Sequence, residues 1–266
     1  MSPAWQVATV WLVAAAIMAA TWRLSLRVRN IGYVDVAWAG LMALAAVLAG
    51  TLGNGDARAR TLVAVLGGLW GTRLCLHLLS RVRAEPEDGR YQALRARWGA
   101  SPARWFVFFQ GQALVVALFS LPFVAAANGA GTRLDTWIPL AVLTWLVAVG
   151  GEWLADRQLA RVRANPSNHG RTCRVGLWAW SRHPNYFFEW LGWVAYPVIA
   201  IDLTGGYWWG LASLVAPAMM YWLLAHVSGV PPLEEHMLKS RGEAFRAYQR
   251  RVSAFFPAPP KTQEQT

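Results

Sequence analysis

Seven blocks of apolar residues, each close to the length of a bilayer crossing, set the terms on which this chain can fold. They run roughly over Trp5–Trp22, Ile31–Leu52, Thr61–Ser80, Trp105–Ala127, Leu134–Leu154, Tyr186–Ile201 and Tyr207–Val227. About 20 apolar residues in a helix cross the hydrocarbon core. Helices rather than open strands are expected, because lipid offers no partner to a free backbone group. The sequence therefore predicts an all-α, polytopic membrane protein of seven transmembrane helices. Its sixth block is the shortest and contains Glu189. Only 15% of the 266 residues are charged, against about 25% in soluble domains. Many of the 17 Trp stand near block ends, among them Trp5, Trp22, Trp105, Trp137, Trp153 and Trp208, where an amphipathic ring suits the headgroup level.

The net charge of +11 could suggest a nucleic-acid partner, but its distribution argues against one. Twenty-one of the 25 Lys and Arg fall in alternate connections: three after the first block, then six, six and six. Arg58, Arg60 and Arg133 fall in the others, and Arg73 lies within a block. The positive-inside rule then places the N-terminus on the outer, periplasmic side and the C-terminus in the cytoplasm. No basic region precedes the first block, so an uncleaved helix is expected rather than a signal peptide. Cys75 and Cys173 offer neither a disulfide framework nor a metal spacing. No metal site is expected. Residues 1–257 read as one transmembrane domain and 258–266 as a disordered tail.

Polar residues at membrane depth are costly and tend to face the bundle interior. Here they are Asn30, Asp35, Arg73, His77, Glu152, Asp156 and Glu189. Plain inter-helix hydrogen bonding is the alternative to a functional role for each. Asp35 and Arg73, at similar depth, could pair or line one cavity. Two basic connections, Arg81–Arg104 and Ala155–Asn185, also hold Asp88, Tyr91, Asp156 and Asn185. Attraction to anionic headgroups explains part of the arginine count. Arginines also bind phosphates bidentately, while Asp and Asn suit ribose or a carboxamide. A nucleotide-sized ligand at the basic face is thus expected. No GxGxxG follows a strand, and the helical pattern excludes a Rossmann fold. After the last block, Glu234, Glu235, Phe245 and Tyr248 fit an amphipathic surface helix.

The run Ser181-Arg-His-Pro-Asn-Tyr-Phe-Phe-Glu-Trp190, with Leu233-Glu-Glu-His236, Phe245-Arg-Ala-Tyr248 and Phe256-Pro257, resembles the C-terminal signature of the steroid 5α-reductase superfamily. Sterol C14-reductases and isoprenylcysteine carboxyl methyltransferases share it, so the signature does not specify the reaction. Upstream, Asn30–Trp38, the helix end Arg73…Arg81, Glu87-Asp-Gly-Arg-Tyr91 and Glu152…Asp156-Arg-Gln-Leu159 resemble the bacterial branch of the 5α-reductase family. The resemblance covers about residues 30–257. It implies NADPH bound from the cytoplasmic side and reduction of a carbon–carbon double bond conjugated to a ketone, as in a 3-oxo-Δ4-steroid. It implies cofactor-binding roles for Arg73, Arg81, Asp88, Tyr91, Asp156, Arg163, Arg174, Arg182, His183, Asn185, Glu189, His236 and Tyr248.

There are departures from the family pattern. The steroid branch has a Gln-Glu pair in its second helix, and here Asp35 stands in the place of the Glu with Tyr33 nearby. The family's third-helix Tyr has no clear match, and Trp70 falls near that position. Phe188 stands where many relatives have Gly. The expected chemistry needs an acid at the substrate carbonyl, for which Asp35, with Tyr33, is the candidate. Trp38 and Trp70 would wall an apolar pocket for a lipophilic substrate entering from membrane lipid. The rival readings are an S-adenosylmethionine-dependent methyltransferase and a transporter or lipid-binding scaffold.

Overall fold

The computed structural model describes residues 1–99, 101–129, 134–168 and 170–261. Arg133 and the last five residues of the expected tail lie outside them. Nine α-helices are described: α1 Pro3–Val28, α2 Tyr33–Leu52, α3 Ala57–Ala84, α4 Gly89–Trp98, α5 Pro102–Asn128, α6 Leu134–Ala164, α7 Pro184–Ala200, α8 Val215–Trp222 and α9 Val230–Arg251. A 3₁₀ stretch, Trp208–Leu214, leads into α8, and a π turn, Leu223–Val227, leads out of it. Among the described residues there is no strand, only an isolated bridge between Ser181 and Ser253.

Six helical stretches are long and apolar enough to cross a membrane: α1, α2, α3, α5, α6 and the run Trp208–Arg251. The chain is a multi-pass membrane protein. The sixth expected crossing, α7, is not among them: it has 17 residues and carries Pro197 inside it. At 1.5 Å per residue it reaches about 25 Å, short of the roughly 30 Å hydrocarbon core. The last run is apolar before Gly229, whereas α9 is charged along its length and bends at Gly242, whose φ is +51°. α9 is thus the amphipathic helix that the sequence predicts.

The chain forms two compact units, one of Met1–Thr136 with Tyr196–Ala216, the other of Trp137–Ala195 with Pro217–Thr266. In the first, α2 and α3 meet along small residues. A Cβ on Gly71 would lie 2.6 Å from the Ala43 amide, and one on Gly67 would lie 2.5 Å from the Ala46 Cβ. Such seams let helix backbones approach where lipid supplies no hydrophobic drive. The fully buried Trp105, Phe109, Phe119 and Phe123 of α5 fill the interior. At one end, Gln6 donates to the carbonyls of Met1 and Leu52 and to Asn128 Oδ1. This supplies a partner to the Leu52 carbonyl at the close of α2.

In the second unit, the Trp178 indole donates to the Ala155 carbonyl at 2.9 Å, tying the connection after α6 back to that helix. Phe187, Trp190, Tyr221, Phe255 and Phe256 form an aromatic cluster around the start of α7. The Ala258 amide donates to the Trp180 carbonyl at 3.0 Å and Lys261 to that of Arg251 at 2.9 Å. The first residues of the expected disordered tail are therefore tied to the protein.

Candidate functional site

In the first unit, polar groups converge where α2 begins. The Asp88 side chain accepts from the Arg90 amide at 2.9 Å and caps α4. That start places Tyr91 in the first turn, and its hydroxyl donates to Asp35 Oδ1 at 2.7 Å. The Arg90 guanidinium reaches Asp35 Oδ2 at 3.4 Å and Asp88 Oδ1 at 3.1 Å. Arg81, at the end of α3, bridges Glu85 at 3.0 Å and Asp88 at 3.4 Å. Glu87 pins α4 from behind, accepting from the Ile31 amide and from Arg95, both at 2.7 Å.

Burial, and then the adjacent Asp35 carboxyl, push the Tyr91 phenol well above its ordinary value, so it remains a donor. Burial alone would raise Asp88, but hydrogen bonds from Arg90, with the charges of Arg90 and Arg81, hold it below the ordinary carboxylate range. A small cavity of about 30 Å³, lined in part by Asn30, Gly32, Asp35, Arg81 and Asp88, opens beside these groups. That is room for a water or so, not for a nucleotide. Further along α2, the Trp38 ring packs edge-on against Trp70 at 6.4 Å and Phe119 at 5.7 Å.

Around Asp35 the structure adds a residue that the sequence reading does not name as a candidate. Asp35 pairs with Arg90, and Arg73 is exposed on α3. Tyr33 is two residues from Asp35, and such positions do not face each other on a helix. Tyr91, expected at the cofactor, is the phenol beside Asp35. The Asp88-Gly-Arg-Tyr91 spacing marks a capped helix start that turns Tyr91 inward and leaves the exposed Arg90 beside the same carboxylate.

The second unit gathers the C-terminal motif. Arg182 bridges Glu234 at 2.7 Å and donates to the carbonyls of Gln249 and Val252. His183 Nε2 lies 2.9 Å from the same carboxylate and its ring stacks on Tyr186 at 5.4 Å. Gln249 donates to Glu234 at 2.6 Å. The buried Tyr248 hydroxyl donates to the Trp178 carbonyl. Arg182, His183 and Tyr248 therefore have their polar groups engaged within the protein, a consequence of α9 folding back on the 181–183 segment. His236 is exposed on α9.

Asn185 Nδ2 donates to Asp156 Oδ1 at 3.3 Å in an exposed setting. Glu189 is partly buried on α7. Arg174 is exposed, donates to the Ala244 carbonyl at 2.6 Å and lies 5.3 Å over the Tyr248 ring. Arg163 and Arg241 are near enough for their like charges to act on each other, and neither pairs with a carboxylate among the described residues. A guanidinium without a carboxylate partner fits phosphate oxygens, and the Asp156–Asn185 pair fits ribose or carboxamide groups. The donor set of this unit is thus compatible with a dinucleotide. No cluster of metal-ligating side chains occurs among the described residues.

The helices and their polar clusters define a multi-pass, all-helical membrane protein with ionisable groups gathered at its helix ends. Residues 21–252 match the family described as "Protein of unknown function (DUF1295)", and the chain belongs to it. That family is part of the steroid 5α-reductase-like superfamily. The chain is also similar to an uncharacterized protein of Schizosaccharomyces pombe, with 24% identity over 265 residues, covering 89% of this chain and 75% of that protein. No solved structure matches it.

Proposed function

We propose that this protein is an NADPH-dependent membrane reductase of a carbon–carbon double bond conjugated to a ketone, with 3-oxo-Δ4-steroids as the substrate class. The observation that carries the reading is the Asp35–Tyr91 pair, a carboxyl and a neutral phenol 2.7 Å apart at the end of an apolar helix. Membership in a steroid 5α-reductase-like family supports it. In the proposed setting the protein lies in a bacterial inner membrane with its basic connections in the cytoplasm, and the short α7 makes a seventh crossing where the bilayer thins to meet it.

NADPH, when bound, supplies the hydride that reaches the β-carbon of the enone. Asp156, Asn185, Arg163 and Arg174 would hold it. The chain's own chemical work is at the carbonyl oxygen, where negative charge grows as the double bond is reduced. The Tyr91 hydroxyl would turn from Asp35 to that oxygen and pass it a proton. Arg90 would offset the negative charge left on the pair until Asp35, taking a proton from water, returns one to the phenol. The enol so formed becomes the saturated ketone when its α-carbon is protonated. Trp38 and Trp70 would pack against a flat apolar substrate.

The test is turnover of a 3-oxo-Δ4-steroid by the purified protein in detergent with NADPH, together with thermal shifts in NADPH, NADH and S-adenosylmethionine. A ligand of the native state alone raises the melting temperature. NADPH should stabilise most and its oxidation should follow steroid reduction. Stabilisation by S-adenosylmethionine without NADPH would instead place the chain with the methyltransferases.

A further inference from the structure

The junction of α4 and α5 carries a feature that the proposed reaction does not use. Trp98, Ala103, Arg104, Val107 and Phe108 line an open groove of about 480 Å³. Its back is aromatic and rigid: the Trp98 ring packs edge-on against Trp105 at 5.4 Å and Phe108 at 5.9 Å. Its outer edge is Val107, 69% exposed, and two turns further along the same helix face Leu114 is 53% exposed. Because α5 is long and apolar enough to cross a membrane, this face meets lipid chains, and the groove runs onto it.

The other end of the groove is cationic. Arg104 Nη1 donates to the Trp98 carbonyl at 3.1 Å, which holds the guanidinium at the groove mouth. Arg97 is exposed one residue before Trp98. Among the described residues, neither Arg97 nor Arg104 pairs with a carboxylate. Nearby Arg81, Arg90 and Arg95 all do. An apolar channel that ends in an uncompensated guanidinium is complementary to an amphiphile with a long apolar chain and an anionic head. A neutral apolar ligand would use the channel and leave the cation unanswered.

We propose that this groove is a binding site for an anionic phospholipid of the surrounding bilayer. One acyl chain lies along Val107 and Phe108, and the phosphate lies on Arg104 with Arg97 beside it. Basic pockets beside membrane helices take anionic headgroups in this way, and Trp98 stands where an interfacial ring is favoured. The proposal does not depend on the reductase reading.

The test is native mass spectrometry of the delipidated protein, titrated with phosphatidylglycerol or phosphatidylcholine of equal chain length. Three variants accompany the parent: Arg104→Gln removes the cation, Val107→Trp fills the channel from the lipid side, and Arg27→Gln removes an exposed arginine at the end of α1. Phosphatidylglycerol should bind the parent at least about tenfold more tightly than phosphatidylcholine, the scale of one hydrogen bond to a charged group. Arg104→Gln should abolish that preference, Val107→Trp should weaken both lipids, and Arg27→Gln should change neither. Equal binding of the two lipids by the parent would overturn the proposal. So would phosphatidylglycerol binding that Val107→Trp leaves intact, or a groove-dependent complex with a steroid but not with phospholipid. A dimer in the same spectra that Val107→Trp dissociates would assign the groove to a second copy instead.

Discussion

The two polar clusters are built from the same residue types and put them to opposite use. Around Glu234, the Arg182 and Glu234 side chains are each 11% exposed and His183 is 4% exposed. Each oxygen of the carboxylate is taken by partners from α9 or from the segment before α7. Around Asp35, the carboxylate side chain is 35% exposed and Arg90 is 59% exposed, and a small cavity adjoins them. Saturated, enclosed charge clusters hold segments together, whereas partly open ones keep capacity for a substrate. The difference suggests that the most recognisable motif of the chain, Ser181–Tyr186, does much of its work in fastening the C-terminal helix. The less conspicuous Asp35 is then the better place to look for chemistry.

The largest effect should come from breaking the enclosed cluster. Glu234→Ala leaves a buried guanidinium and an imidazole without their shared partner, which typically costs about 3–5 kcal/mol. Chemical denaturation in detergent should show a loss of this size. A loss under about 1 kcal/mol would mean that the fastening comes from the aromatic cluster around Phe255 instead.

Asp35→Ala should do the reverse, losing about 10²–10³ in turnover, the scale of a positioned acid–base group, because the Tyr91 phenol loses the carboxyl that reloads it, with melting temperature and NADPH affinity kept. Asp35→Asn keeps the shape without the charge. If rate, affinity and stability fall together in both variants, Asp35 is a structural tie between α2 and α4.

How far the sequence could foresee this contrast depends on the range of the interactions. Helix positions follow from local apolar blocks, and the observed helices cover all seven of them. Glu189 and the short sixth block already marked the segment that falls below crossing length. Asp35 stood out because an apolar helix rarely holds an aspartate without a reason. Its partner was not legible, since Tyr91 is 56 residues away and reaches it only because Asp88 starts a helix at the right point. Arg182 and His183 were visible as a motif, but their engagement was not. Glu234 lies 52 and 51 residues from them and meets them through the return of α9. Pairing across such distances is decided by packing, which residue spacing does not encode.

Tyr91→Phe sharpens the comparison at a smaller scale. It removes one hydroxyl and keeps the ring, which packs against Phe108 at 6.3 Å. A hydrogen bond to a charged group is worth about 1.5–3 kcal/mol. If the phenol is the donor to the substrate, turnover should fall about 10- to 100-fold while steroid KM changes little. A drop in melting temperature with normal turnover would return Tyr91 to a structural role.

The smallest effects belong to the exposed polar residues of the second unit. Asn185→Ala removes the amide that donates to Asp156 at 3.3 Å. Arg174→Ala removes a guanidinium that holds one carbonyl and covers the Tyr248 ring. Neither side chain is among the partners of Glu234. Each should therefore lower stability by no more than about 1 kcal/mol, as surface changes usually do. Their expected signature is in cofactor binding. Losing one hydrogen bond to a neutral cofactor group should weaken NADPH several-fold for Asn185→Ala. Losing a bidentate cation should weaken it about tenfold or more for Arg174→Ala. NADH is the discriminating probe. If Arg174 meets the 2′-phosphate, its removal should cost NADPH affinity and leave NADH unchanged, whereas Asn185→Ala should weaken both alike. Unchanged NADPH affinity in both variants would remove the nucleotide from this part of the molecule and leave the second unit a scaffold throughout.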